Sequence, residues 1–194
     1  LNSNYFTKLT RSNKFILSSV GLIVLFLSYL SIPNIYDKNE ISKILKNQLQ
    51  NKFNLNFNLS ENLEYSFFPS PHFVFKNSTI LKDMNEISQI EELKIFISMN
   101  KFFSYKKIKA KNLILEKSNF NLNDQSYNLF TMLLNINFKD GKLIIKDSNL
   151  FYRNKNKEVL FINKILDMTY FYDVKDSQNK VISKNEVFNL PYLL

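Results

Sequence analysis

The residues able to do chemistry are few. The chain has one histidine, His72, and no cysteine. An imidazole acts as a general base when a nucleophile and an orienting acid accompany it. His72 sits in "SPHFVF", with no Ser and acid arranged beside it as a triad, and it reads as a turn residue. The lack of cysteine excludes a disulfide framework and a thiolate metal site. Glycines occur only at Gly21, in an apolar run, and Gly141, in a turn, so no glycine-rich phosphate loop can form. Neither H-E-x-x-H nor G-x-S-x-G occurs. The carboxylate pair Glu91-Glu92 falls at the start of a strand-like run beside Lys94, and a solvated edge accounts for it. The expectation is a protein that is not an enzyme, with no cofactor, no metal and no catalytic residue.

The charge balance narrows the partners. The formal net charge is +9. Lys8, Arg11 and Lys14 stand before residue 37 with no acid among them. Elsewhere the positives alternate with Asp and Glu instead of forming a stripe. That argues against nucleic acid and suits anionic lipid head groups.

The elements that would position any site begin with "FILSSVGLIVLFLSYLSI", Phe15 to Ile32, which carries no charge. Its length is about the 18 to 20 residues that cross a hydrocarbon core as a helix. The preceding positives put the N-terminus in the cytoplasm by the positive-inside rule, although Lys38, Lys43 and Lys46 on the far side weaken that bias. The run is long for a signal-peptide core and no A-x-A-like site follows it, so an uncleaved anchor is expected. Pro33 and Asn34 end the helix, and Tyr29 and Tyr36 are placed for the membrane interface. The expected organisation is a basic tail over 1–14, an anchor over 15–36, an amphipathic helix over 37–52 and a β domain over 53–194. The helix, from "DKNEISKILKNQLQN", shows Ile41, Leu45 and Gln48/Leu49 at helical spacing and predicts a lid or packing face.

From Phe53 onward the apolar period is two. Phe53, Leu55, Phe57 and Leu59 share one face, as do Leu63, Tyr65 and Phe67. Phe73 and Phe75 resume the alternation after Pro69 and Pro71. Leu93, Ile95, Ile97 and Met99 follow, then Leu113, Leu115, Phe120 and Leu122. Leu143 and Ile145 come next, and Leu166, Met168, Tyr170, Tyr172 and Val174 close the series. Such segments are half-buried strands. Turns fall at Ser60 to Asn62, Asn123 to Gln125, Asp140-Gly141 and Asn154 to Asn156, with Asp-Gly a hairpin cue. Only "NLFTMLL", Asn128 to Leu134, fits a helical turn or two. The fold class is mainly β: an anchor, a short amphipathic helix and an antiparallel, curved sheet forming an apolar groove. Large side chains line one face, without small residues interleaved. The face is either an ordinary core or a surface over a guest. Prolines fix φ and cannot donate to a ladder, so Pro69 and Pro71 are expected to break one strand from the next and let the sheet turn a corner lined by Phe67, Phe68, Phe73 and Phe75.

The order of these features resembles the N-terminal region of the AsmA family of Gram-negative envelope proteins. A basic N-terminus, one span and a short helix precede "SFFPSPHFVFKNSTI", in which Pro69, Pro71 and "FKNSTI" match a P-x-P element and the turn after it. Phe102, Phe103, Lys106, Ile108, Leu113, Leu115, Phe120 and Leu122 take the places of the family's second block. Asp140, Gly141, Leu143 and Tyr152 take those of its third. Asn, Ser and Lys stand where the family favours Gly and Ala, and Ser104-Tyr105 stand where a Gly is common. Members are mostly much longer, which implies an N-terminal piece or a short form.

The resemblance implies a single-pass protein of the bacterial inner membrane, N-terminus cytoplasmic and bulk periplasmic. It implies a β-sheet curled into an apolar groove, partners that are membrane and phospholipid, and transport of phospholipid toward the outer membrane. The groove candidates are Phe57, Leu59, Tyr65, Phe67, Phe73, Phe75, Ile95, Ile97, Leu113, Leu115, Phe120, Leu122, Leu143 and Ile145. Two other readings stay open. One is a structural or assembly factor for outer-membrane or other envelope proteins, docking by strand addition. The other is a β-jelly-roll bridge subunit of the lipopolysaccharide-export type.

Overall fold

The computed structural model describes residues 3–53, 56–82, 85–100 and 102–194, with side chains from residue 13 onward. The side chains of Lys8 and Arg11, and the expected inward position of Leu55, lie outside the described residues.

Helix α1 (Ser3–Ser31) runs into a 3-10 turn (Ile32–Ile35) at Pro33. Asn13–Ile35 is long and apolar enough to cross a membrane. Its apolar side chains are exposed, Phe15 by 74% and Leu25 by 69%. A helix apolar on every side needs an apolar surround, and the protein does not supply one here.

Helix α2 (Lys38–Phe53) starts where Asp37 Oδ1 accepts the backbone N–H of Asn39 at 2.9 Å and of Glu40 at 3.0 Å, the usual work of an N-cap aspartate. Ile41, Leu45, Leu49 and Phe53 form its buried stripe, each worth about 1.5–3 kcal/mol of burial. Phe53 therefore closes the helix instead of opening a strand. The two-residue period predicted from Phe53 is coincident there with the four-residue step from Leu49.

Among the described residues nine strands follow: β1 (Asn56–Asn58), β2 (Leu63–Ser66), β3 (His72–Lys82), β4 (Asn85–Ile97), β5 (Ala110–Leu122), β6 (Leu143–Arg153), β7 (Val159–Asp173), β8 (Gln178–Val187) and β9 (Leu190–Leu193). They make one sheet in the order β1-β3-β4-β5-β6-β7-β8-β9, with β2 also on β3. Pairing is antiparallel except for β5 with β6, which run parallel. Asp140-Gly141 is thus not a hairpin turn. It ends a crossover from Leu122 that contains α3 (Leu129–Leu133) and carries Leu129, Leu133, Ile136 and Phe138 into the core. A parallel pair requires such a crossover.

Glycine at 141 serves close approach. A Cβ there would lie 1.8 Å from the Lys111 carbonyl oxygen. Lys52 Nζ reaches the same place, donating to the carbonyls of Lys111 at 3.0 Å, Asp140 at 3.3 Å and Ala110 at 3.4 Å. Burial lowers the pKa of Lys52, partly opposed by Asp140.

The sheet bends along one line. Asn77, Lys117 and Asp147 have φ of 57°, 51° and 45°. Each precedes a buried serine: Ser78, Ser118 and Ser148. Register sets Ser78 opposite Ile90, Ile90 opposite Ser118, and Ser148 opposite Ile165. The register is kept across each of them, Lys76 opposite Glu92 and Ser78 opposite Ile90, so the strands turn there with no residue inserted, and Asn and Asp tolerate the left-handed region best after Gly. The serines are the small residues the sequence reading missed. They sit on the inner face at the crease, fully buried. The signal was present as a repeat, "FKNSTI", "LEKSNF" and "IKDSNL".

Other expectations shift in detail. Glu91 and Glu92 lie inside β4, not at its start, because β4 begins at Asn85. They pair on the outer face, Glu91 with Lys117 at 3.0 Å and Glu92 with Lys94 at 3.5 Å, while Lys94 also meets Glu116 at 2.8 Å. Val174 is 79% exposed because β7 ends at Asp173 and Val174 lies in the turn that follows, while a register shift at Leu166 takes that residue out of the row. His72 opens β3 instead of lying in the turn. It is buried, stacks on Phe96 at 4.7 Å and has Nδ1 2.8 Å from the Ser70 carbonyl oxygen.

Candidate functional site

Two regions invite a functional reading: the inner face of the sheet, and the end of the sheet where α1 joins it.

Among the groove candidates, Phe57, Phe73, Phe75, Ile95, Ile97, Leu113, Leu115, Phe120, Leu122, Leu143 and Ile145 are buried, Leu59 and Tyr65 are half-buried, and Phe67 is exposed. They do come together on one face, apart from Phe67. That face is covered by the protein itself. The α2 stripe lies in the same core, and the crossover adds Phe138, which meets Phe53 at 6.3 Å and Tyr170 at 6.0 Å between ring centres. Phe130 packs edge-on against Phe120 at 5.2 Å, and the Tyr170 hydroxyl donates to the Phe130 carbonyl at 3.1 Å. Burial raises the Tyr170 pKa. Over β1 to β6 the inner face is a packed core.

The cover thins toward the last strands. Phe161 continues the inner row from Tyr152, and Val187, Leu190 and Tyr192 continue it across β8 and β9. Phe161 and Tyr192 are each 39% exposed and Leu190 is 71% exposed. Register partners share a face, so these side chains extend the same concave surface as Ile145 and Met168, uncovered. Sequence reading missed this stretch because the inner face of β8 is mostly polar, Asn179, Ser183 and Asn185 standing with Val181 and Val187, so no two-residue apolar period shows.

At the other region the end of α1 is clamped. The Tyr29 hydroxyl donates to the Met99 carbonyl at 2.7 Å, and its ring lies 5.3 Å from Phe102 and 5.4 Å from Phe103. The Tyr36 hydroxyl donates to the Phe102 carbonyl. The Tyr65 hydroxyl donates to the Leu30 carbonyl at 2.5 Å, and burial pushes its pKa up to about 12. Pro69 and Pro71 lie in the β2–β3 hairpin, where they do separate two strands. Phe67 and Phe68 project outward from it, 44% and 78% exposed, and do not line the sheet. A two-proline loop leaves too few residues to fold both rings back over Phe73.

Among the described residues, no group of three or more His, Cys, Asp or Glu side chains is placed to hold a metal ion. A scan against models of known protein families finds no match, and a search of curated proteins finds none either.

Proposed function

We propose that this protein is a single-pass envelope protein, similar to the AsmA family, that carries phospholipid between its membrane and the outer membrane along the concave face of its sheet. The observation that supports this best is the change along that face, from a closed core under α2 to an open apolar surface at Phe161, Leu190 and Tyr192. The core residues hold the curvature, and the uncovered strands offer the acyl chain its surface. An acyl chain gains roughly 0.8 kcal/mol per CH₂ removed from water, so no specific polar group is required. In this reading Lys8, Arg11 and Lys14 keep the N-terminus in the cytoplasm and the sheet lies in the periplasm.

Photo-crosslinking tests it. Benzoylphenylalanine replaces Phe161, Leu190 or, on the opposite face, Lys164, in the full chain within cell membranes. Phospholipid adducts at positions 161 and 190, without adducts at 164, are the expected result. Absence at all positions, or equal yield at 164, overturns it. Protein adducts at 190 in place of lipid would favour the assembly-factor reading, in which the free edge of β9 accepts a partner strand.

A further inference from the structure

The end of the sheet beside α1 has a composition unlike the opposite end. Two loops form it, 67–71 between β2 and β3 and 98–109 between β4 and β5. They are joined where Ile97 N donates to the Pro71 carbonyl at 3.0 Å. Neither loop contains an Asp or a Glu. Phe68 is 78% and Phe103 81% exposed. Phe103 packs against Tyr29, which belongs to the apolar span Asn13–Ile35. If α1 crosses a bilayer, its last turn lies at the interface, and Phe103 lies at that depth with it.

The second loop also borders a cleft of about 1260 Å³, which Ser98 and Asn100 help to line. Lys106, Lys107 and Lys109 of the loop line it, with Lys52, Lys111, Lys139 and Lys142, and Asp140 is the only carboxylate among its described lining residues. At the far end of the sheet the charges are mixed, Glu86, Asp124 and Glu158 standing with Lys82, Arg153, Lys155 and Lys157. The excess of lysine is thus local to the loop 98–109 and the cleft beside it, while Asp173 and Asp176 at the same end are paired with Lys180. Aromatic rings with a lysine rim suit a headgroup layer, where rings sit at the interface and each cation meets anionic lipid.

We infer that loops 67–71 and 98–109 form a membrane-docking surface. Phe67, Phe68 and Phe103 enter the interface of the bilayer that α1 spans, and Lys106, Lys107 and Lys109 engage the phosphates of its anionic phospholipids. The hydrogen bonds from Tyr29 and Tyr65 then hold the sheet upright on that surface instead of leaving it on a flexible tether. This inference depends on α1 as a span and is independent of lipid transport.

The chain has no tryptophan, so single-tryptophan variants report position directly. Phe68→Trp, Phe103→Trp and, at the opposite end, Phe188→Trp are made in the full chain and placed in nanodiscs containing dibrominated phosphatidylcholine. Phe68→Trp and Phe103→Trp should lose about half their emission, the depth of interfacial side chains, while Phe188→Trp keeps its emission. Raising the fraction of phosphatidylglycerol should deepen quenching, and the combined Lys106→Gln, Lys107→Gln and Lys109→Gln variant should abolish that gain while retaining its circular dichroism. Water-like, unquenched emission from Phe68→Trp and Phe103→Trp overturns the proposal. So does equal quenching of Phe188→Trp, which would mean that the sheet lies flat. Blue-shifted emission without bromolipid quenching would assign the loops to a protein contact and also overturn it.

Discussion

The backbone N–H of Ser118 donates to the hydroxyl of Ser148 at 2.9 Å, across the one parallel pair in the sheet. That hydroxyl in turn donates to the Lys146 carbonyl at 2.7 Å. Both serines are fully buried at the crease, each following a residue in the left-handed region. The ladder is interrupted there without a change of register, and a side chain supplies the acceptor that the backbone no longer offers. Ser118 Oγ itself has no hydrogen-bond partner.

The two serines should therefore respond differently to truncation. Ser148→Ala strands a buried N–H, which costs about 1–3 kcal/mol, whereas Ser118→Ala removes an unpartnered hydroxyl and is nearly neutral. Denaturant unfolding of the two variants measures the difference. Equal losses would show that the hydroxyl of Ser148 does not serve the crease.

Lys117 occupies the left-handed region with a long side chain. That conformation costs an L-residue roughly 1–2 kcal/mol, against about 0.5–1 kcal/mol of added backbone entropy for glycine. The ion pair from Lys117 to Glu91 is exposed on both sides and adds little. Lys117→Gly should raise stability by about 0.5–1 kcal/mol. A lower denaturation midpoint would mean that the ion pair outweighs the backbone.

Gly141→Ala should destabilise by roughly 1–3 kcal/mol, the range for a side chain forced into a filled space. The added carbon meets the Lys111 carbonyl at 1.8 Å, and backbone cannot yield as a flexible side chain can. Hydrogen exchange should show the loss first at Leu113 N, which donates to the Lys142 carbonyl at 2.9 Å. Unchanged protection there would count against the close approach.

The β7–β8 hairpin should loosen in acid. The hydrogen bond from Lys180, with that from the Lys175 backbone N–H, holds the Asp173 carboxyl below its ordinary value of 3.8; Lys180 Nζ lies 2.7 Å away. A carboxyl lowered on folding stabilises the folded state above its unfolded value, and that contribution fades as pH falls through the lowered one. Amide exchange over residues 173–178, corrected for intrinsic rates, should rise below pH 3.8 in the natural chain. Asp173→Asn should remove the pH dependence. An identical rise in the variant would place its cause elsewhere.

Much was legible in the residues themselves. The uncharged run from Phe15 lies in one helix as far as Ser31, because an apolar segment of that length satisfies its backbone within itself wherever it lies. The stripe of Ile41, Leu45 and Leu49 packs as expected, and the helical reading of Leu129 to Leu133 holds. Alternation located Phe73, Phe75, Leu113, Leu115, Leu143 and Ile145 on a shared face, since pleating permits no other arrangement. Local pattern reports which side chains must leave water.

What covers them is a separate matter, decided by tertiary structure. The aromatic face from Phe57 to Ile145 looked the same in sequence whether closed or open. Only the path of α2 and of the crossover across it made it a core, leaving the uncovered surface at Phe161, Leu190 and Tyr192. The parallel pairing of β5 and β6 was equally invisible, because Asp140-Gly141 suits a hairpin as well as the close approach to Lys111. Sequence period fixes which way a side chain points along its own strand. Distant segments, competing to bury the same surface, settle what it meets there.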